Sequence, residues 1–157
     1  MKLHTLLAED LILLDIKSRS REDVLGEMVG YLKAQDRITK DKNLYEKLIQ
    51  REKLGSTAIG DGVAIPHCKI KGIKPPLLLL LSISKQGVSF GALDGKPSHI
   101  FFMVISSPDN PGMNLEALAS IAKLVRKETS LPGRILEAKS SKAVIEIIRE
   151  EEEKLND

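Results

Sequence analysis

The sequence is poor in cysteine and in aromatic residues. It has one cysteine, Cys68, no tryptophan, and an aromatic content of 3%. A single cysteine excludes a disulfide within the chain and is typical of proteins in a reducing compartment, so a cytoplasmic location is expected. With few aromatic side chains, a surface that stacks on nucleic-acid bases or sugar rings is not expected.

The chain also lacks an excess of charge of one sign and any long hydrophobic run. Its 24 basic and 22 acidic residues give a formal net charge of +2, which indicates neither a nucleic acid nor an anionic membrane as a partner. The apolar run 77–81 is far short of the ~20 residues that span a bilayer. His4, Glu9 and Asp10 interrupt the N-terminal apolar residues, so no signal peptide is predicted.

What is present is the composition of one soluble globular domain, predicted over 1–157. Hydrophobic residues make up 42% of the chain and charged residues 29%, and no repeat or linker divides it. The first half predicts a strand over 11–16 and a helix over 21–35 with Ser20 as its N-cap. A second helix, capped by Asp41, follows and ends near Gly55.

The second half predicts two buried strands and then three helices. Pro75 and Pro76 mark a break before a strand over 77–84; a hairpin-like excursion over 86–97 and a strand over 99–105 follow. A long amphipathic helix containing 115–125, a short helix over 131–138 and a last helix capped by Ser140 or Ser141 complete the chain. The acidic run 150–153 is predicted to be a solvated, frayed helix end. Strands interleaved with helices predict an α/β sandwich around one sheet.

A glycine-rich stretch, 55–69, contains the residues with the most chemical information. Pro66 has no N–H and a fixed φ, so a strand carrying Val63 to Ile65 must stop there or lie at an edge. His67 is therefore predicted at a strand end, facing outward.

Two nucleotide motifs fail on this stretch. Gly55 and Gly60 have the spacing of a P-loop, but Asp61 stands where a lysine should contact the phosphates. A dinucleotide fingerprint beginning at Gly60 would have Ile65 in place of its third glycine. No nucleotide and no other cofactor is predicted.

The run Gly60-Asp-Gly-Val-Ala-Ile-Pro-His67-Cys resembles the active-site signature of the type-2 enzyme IIA family of the bacterial sugar phosphotransferase system, the fructose, mannitol and nitrogen-regulatory branch. The resemblance covers almost the whole chain. It implies that His67 is transiently phosphorylated. It also implies a central mixed sheet of about five strands with helices on both faces.

Three residues form the predicted site. His67 is a nucleophile near pH 7 if one ring nitrogen attacks while the other donates a hydrogen bond that holds the tautomer. The resemblance implies that Arg51 stabilises the phosphoryl group, which its planar guanidinium can bind through two oxygens. Asn114 stands where the family has a second histidine; its amide can donate a hydrogen bond but carries no charge.

The remaining polar residues near the motif have more modest interpretations. Lys53 and Lys69 either steer a phosphoprotein or are simply solvated. Ser56 and Thr57 either donate to the phosphoryl group or satisfy the loop backbone, and both alternatives stay open.

The single cysteine and the two remaining histidines are assigned no chemistry. Cys68 is predicted to be a small buried hydrophobe, because neighbours in an extended segment point to opposite sides and no metal-ligand spacing is present. His99 is predicted to be structural and His4 to lie on the surface.

The resemblance implies a phosphotransferase that forms a phosphohistidine without nucleotide or metal. Its donor would be the histidine phosphocarrier protein and its acceptor a cysteine of a sugar-specific IIB component. The alternative is a nitrogen-related regulatory module whose phosphorylation state controls target proteins; a third possibility is a module cut from a transcriptional regulator. The sugar is not predicted, because a IIA domain does not contact it.

Overall fold

The computed structural model describes residues 1–73 and 76–155, so Pro75 of the predicted break lies outside the described residues. Two short 3₁₀ helices, Leu3–Leu6 and Glu9–Leu11, come first. The strands and helices that follow are β1 (Ile12–Leu13), α1 (Arg21–Ala34), α2 (Asp41–Leu54), β2 (Ala58–Gly60), β3 (Val63–Ala64), β4 (His67–Lys69), β5 (Leu77–Val88), β6 (Ser98–Ser106), α3 (Pro111–Lys127), α4 (Leu131–Glu137) and α5 (Ser141–Leu155).

These strands form one mixed sheet in the order β1-β5-β6-β3-β2, with β4 also paired to β6. β1 is parallel to β5, β5 is antiparallel to β6, and β3 and β4 are both parallel to β6. The long central strands β5 and β6 are almost entirely buried, as their continuous apolar runs predict.

The helices form two groups around the sheet. α1 and α2 pack together, and they contact β5 and β4 respectively. α3 and α4 contact β6, and α5 packs on both of them. The predicted α/β fold, with a mixed sheet and helices on both faces, is confirmed. In the described part of the chain, no helix combines the length and hydrophobicity that a membrane span requires.

The predicted helix caps are partly right. Ser20 Oγ accepts a hydrogen bond from Asp23 N at 3.1 Å, which confirms it as the N-cap of α1. Asp41 is not a cap, because it is already the first residue of α2 and its carboxylate accepts a hydrogen bond from Lys33 Nζ at 3.0 Å. Ser140 Oγ accepts from Ala143 N at 3.1 Å, as a cap of α5 should.

The strand predictions need two corrections. β1 is shorter than 11–16 because a 3₁₀ turn ends at Leu11, although Ile16 N still donates to Ile83 O at 2.8 Å. β5 runs beyond residue 84 to Val88 through a bulge after Ile83. The predicted excursion over 86–97 is therefore the end of β5 and the loop that joins it to antiparallel β6.

The prediction of a frayed acidic C-terminus was wrong, and His4, placed on the surface, is in fact half-buried. Glu151 and Glu152 are buried in a regular α5. Glu152 accepts hydrogen bonds from Leu3 N at 2.6 Å, His4 N at 2.9 Å and His4 Nδ1 at 2.8 Å, and Arg134 pairs with Glu151. These partners come from distant parts of the chain, so the local charge run gives no sign of them.

Candidate active site

His67 begins a strand, which corrects the prediction that it ends one. β3 pairs with Ile100 and Phe101 of β6, and β4 pairs farther along the same strand, with His67 opposite Val104. Pro66 lacks an N–H, but its carbonyl accepts a hydrogen bond from Val104 N at 2.9 Å. The proline therefore interrupts the strand without detaching the chain from β6.

The glycines before His67 make a tight turn between β2 and β3. All three turn residues have positive φ, at 89° for Gly60, 56° for Asp61 and 79° for Gly62. This conformation favours glycine, which occupies the first and last positions of the turn. A P-loop would lead from a strand into a helix, whereas this turn joins two antiparallel strands. The structure thus agrees with the exclusion of a nucleotide loop.

The tautomer of His67 is set by a backbone carbonyl. His67 Nδ1 lies 2.7 Å from Ile65 O. Because a carbonyl oxygen only accepts, Nδ1 carries the hydrogen and Nε2 holds the free lone pair. Burial lowers the pKa of His67, and the nearby positive charge of Arg51 lowers it further; the bond to Ile65 and the carboxylate of Glu52 act in the opposite direction. The ring is therefore neutral and nucleophilic at pH 7.

His67, Arg51 and Asn114 line one open cleft of about 530 Å³ between α2, β4 and α3. The cleft contains three cationic side chains and no carboxylate among its lining residues, which suits an anion. The full lining is Lys47, Gln50, Arg51, Leu54, His67, Cys68, Lys69 and Asn114.

Arg51 is oriented toward the loop that follows α2. Its Nη1 donates to Gly55 O at 2.8 Å. Within the described part of the chain, no acidic side chain forms an ion pair with Arg51, and its guanidinium has further N–H donors available.

Asn114 is buried beside the cleft with an unsatisfied amide oxygen. The residue is 7% exposed, and its Oδ1 has no hydrogen-bond donor among the described residues. α3 begins at Pro111, three residues earlier, so Asn114 is not a helix cap. A buried polar atom without a partner costs about 1–3 kcal/mol of stability. Such unsatisfied atoms are common in functional sites.

The two alternatives for Ser56 and Thr57 are now separated. Ser56 Oγ donates to Phe90 O and accepts from Ala58 N at 3.0 Å. Thr57 Oγ1 donates to the buried carboxylate of Glu52. Both hydroxyl groups stabilise the loop, and neither is among the residues that line the cleft.

The other polar residues lie as follows. Cys68 is half-buried rather than buried, and burial raises the pKa of its thiol to about 12, so it is not a nucleophile. No group of metal-binding side chains occurs among the described residues. His99 Nδ1 donates to Ser84 O at 2.9 Å within the sheet, away from the cleft. Lys69 lines the cleft and Lys53 does not.

Sequence reasoning missed the α2 side chains that join Arg51 in the cleft. Arg51 shares one helix face with Lys47, Gln50 and Leu54. The four positions follow the i, i+3, i+4, i+7 spacing of such a face. Helical periodicity measured from Arg51 could have found them.

The comparison with known families agrees with this geometry. Residues 5–151 match the model of the family described as "Phosphoenolpyruvate-dependent sugar phosphotransferase system, EIIA 2". The chain belongs to this family. An EIIA protein carries phosphoryl groups between components of that system.

Relatives come from both the sugar and the nitrogen branches. The chain is 35% identical over 150 residues to the fructose-specific EIIABC component of Bacillus subtilis, matching 96% of this chain but only 23% of that protein's length. The crystal structure of the nitrogen regulatory protein IIA-Ntr from Neisseria meningitidis has a TM-score of 0.83 and 29% identity, covering 93% of this chain and 98% of that one. IIA mannitol of Escherichia coli, solved in complex with phosphorylated IIB mannitol, shares the fold at a TM-score of 0.71 and 17% identity, covering 90% and 96% of the two chains.

Proposed function

We propose that His67 accepts a phosphoryl group from the histidine phosphocarrier protein and passes it to a cysteine of a IIB component. The observation that carries this proposal is the hydrogen bond from His67 Nδ1 to Ile65 O at 2.7 Å, which leaves Nε2 unprotonated in a cationic cleft. The mannitol IIA protein has been captured with its phosphorylated IIB partner, which supports an acceptor of that class.

The transfer needs no proton movement at the attacking nitrogen. The Nε2 lone pair attacks phosphorus as the bond between phosphorus and the donor's ring nitrogen breaks, and the electron pair of that bond returns to the donor. Nδ1 keeps its hydrogen throughout and continues to donate it to Ile65 O. Onward transfer repeats the step in reverse, with an acceptor thiolate as the nucleophile.

The cleft residues then act on the charge of the phosphoryl group. Arg51 binds the equatorial oxygens through the N–H groups that Gly55 does not use. Asn114 binds a phosphoryl oxygen through its amide N–H, and its buried position holds that donor in place. Lys47 and Lys69 add positive charge at the rim of the cleft.

A regulatory role in nitrogen metabolism is the second candidate. It is favoured by the Neisseria IIA-Ntr structure, which this chain matches over 98% of its length. It is also favoured by Asn114, because the missing imidazole suits a slow switch better than a fast relay.

The first experiment is to incubate the protein with radiolabelled phosphoenolpyruvate, enzyme I and the histidine phosphocarrier protein. One acid-labile phosphate per chain is expected on the wild type and none on His67→Asn. His99→Asn is the matched control: it replaces a histidine whose Nδ1 also binds a carbonyl, and it should keep the label. Label that persists in His67→Asn, or that is stable to acid, would overturn the assignment.

A second measurement separates the two roles. The labelled protein is mixed with a purified fructose-type IIB domain. Transfer within seconds supports a sugar relay. A phosphohistidine that survives for many minutes with that IIB domain supports a regulatory mark.

A further inference from the structure

Glu52 is a buried carboxylate next to the site that the proposed transfer does not use. Its side chain is 3% exposed, and it follows Arg51 directly in α2. No basic side chain of the described residues forms an ion pair with it. A buried carboxyl group without a basic partner is costly, so its hydrogen-bond partners must offset that cost.

The carboxylate is instead held by one residue, Thr57. Glu52 Oε2 accepts a hydrogen bond from Thr57 N at 3.1 Å, and Oε1 accepts from the Thr57 hydroxyl group. The two bonds orient the main chain of Thr57 just before β2.

A line of hydrogen bonds leads from Thr57 to the reactive ring. Thr57 O accepts from Ile65 N at 3.0 Å, and Ile65 O accepts from His67 Nδ1 at 2.7 Å. From this geometry we infer that Glu52 is a positioning residue, which sets the Nδ1–H tautomer of His67 through Thr57 and Ile65.

The Ile65 carbonyl needs such support because of Pro66. The peptide unit that contains Ile65 O has proline nitrogen at its other end, so it has no N–H to anchor it. Its orientation is set by the hydrogen bonds of its two neighbours, from Ile65 N to Thr57 O and from Val104 N to Pro66 O. The central strand β6 fixes the second anchor, and Glu52 fixes the first.

The inferred effect of Glu52 is on the tautomer of His67, which can be measured without any phosphoryl transfer. Only the consequence for the rate of transfer rests on the proposed function. A purely structural role for Glu52 would be to brace the loop after α2. The two roles differ in one observable: bracing affects the free energy of unfolding, whereas positioning affects the tautomer of His67.

The test uses the full chain, labelled with ¹⁵N, and reads the His67 ring nitrogens by NMR above the ring's pKa. Four variants are compared. Glu52→Ala removes both hydrogen bonds; Glu52→Gln keeps both, because the amide accepts from Thr57 N and donates to Thr57 Oγ1. Thr57→Val removes only the hydroxyl group. Glu46→Gln, an exposed acid on the same helix, is the control.

In the wild type, the Nδ1–H form should dominate. In Glu52→Ala, the ratio of the Nδ1–H to the Nε2–H form should fall about fivefold, as expected if a hydrogen bond worth ~1 kcal/mol is lost from the line. Glu52→Gln should restore most of the ratio, Thr57→Val should fall in between, and the control should match the wild type.

A wild-type ratio in both Glu52→Ala and Thr57→Val, with lowered melting temperatures, would overturn the inference and leave Glu52 as a brace. If Glu52→Ala does not fold, the ratio in Thr57→Val decides between the two roles by itself. Should the wild type fail to take up phosphate, the proposed function fails, but the tautomer ratios still decide the role of Glu52.

Discussion

Replacing Asn114 with histidine should speed phosphoryl transfer to His67, whereas replacing it with alanine should slow transfer and raise stability. The position lies inside α3, lines the same cleft as His67, and has an amide oxygen with no donor among the described residues. The cleft of about 530 Å³ is open, so an imidazole has room to extend into it.

The magnitudes follow from the kind of hydrogen bond at this position. A protonated imidazole gives a charge-assisted bond to the phosphoryl oxygens, and the amide gives a neutral one; the difference is about 1 kcal/mol. Realised in the transition state, it corresponds to about a fivefold increase in rate. Asn114→Ala loses the donor but also removes the unsatisfied oxygen and improves helix propensity, so the free energy of unfolding should rise by about 0.5–1 kcal/mol.

Rapid-quench measurements of label transfer from the phosphorylated histidine phosphocarrier protein give the rates, and urea unfolding gives the stability. Leu115→Ala is a suitable control, because it changes an exposed neighbour on the same helix. Unchanged transfer in both Asn114 variants would remove the residue from the mechanism. A large loss of stability in Asn114→Ala would show that the amide oxygen is bonded in solution, and would refute the expected gain in stability.

Further outcomes can be checked alongside. Arg51→Lys keeps the charge but loses the planar fork, so transfer should slow about tenfold, while Lys53→Gln should not change it. NMR titration should place the pKa of His67 below 6.5, and Arg51→Ala should raise it. Because His67 has its ordinary, higher pKa in the unfolded chain, the unfolded chain binds the proton first as the pH falls. The contribution of His67 to the free energy of unfolding should therefore decrease as the pH drops below about 6.5. Glu152→Gln turns N–H groups toward buried backbone donors, and should cost about 1–3 kcal/mol of unfolding free energy in urea. The thiol of Cys68, with its pKa raised to about 12, should react with iodoacetamide at pH 8 far more slowly than free cysteine does.

The parts of the fold that sequence predicts well are those set by local patterns. The helical spacing of apolar residues gave α1 and α2 to within a residue or so, and the apolar runs gave the buried strands β5 and β6. Ser20 is a local signal too, since a cap bonds within its own first turn.

What the sequence did not reveal depends on contacts between distant residues. β4 is three residues long and exists because β6 lies beside it, so no pattern in 67–69 indicates a strand. The buried state of Glu152 depends on Leu3 and His4 at the other end of the chain. Within the site, the motif pointed to His67 and the family resemblance to Arg51 and Asn114, whereas the hydrogen bonds of Glu52 became visible only in the folded loop.

The attachment of His67 to β6 restricts how a partner could recognise the phosphorylated form. Strand β6 is buried along almost its whole length, and both β3 and β4 are bonded to it, so the backbone under His67 is anchored to the most buried part of the sheet. Because Nδ1 keeps its hydrogen, transfer of PO3⁻ to Nε2 adds one net negative charge, which would take the formal net charge from +2 to +1 and place a dianionic group in the cationic cleft. Discrimination between the two forms would then be electrostatic, and it should weaken steeply as added salt screens the charges.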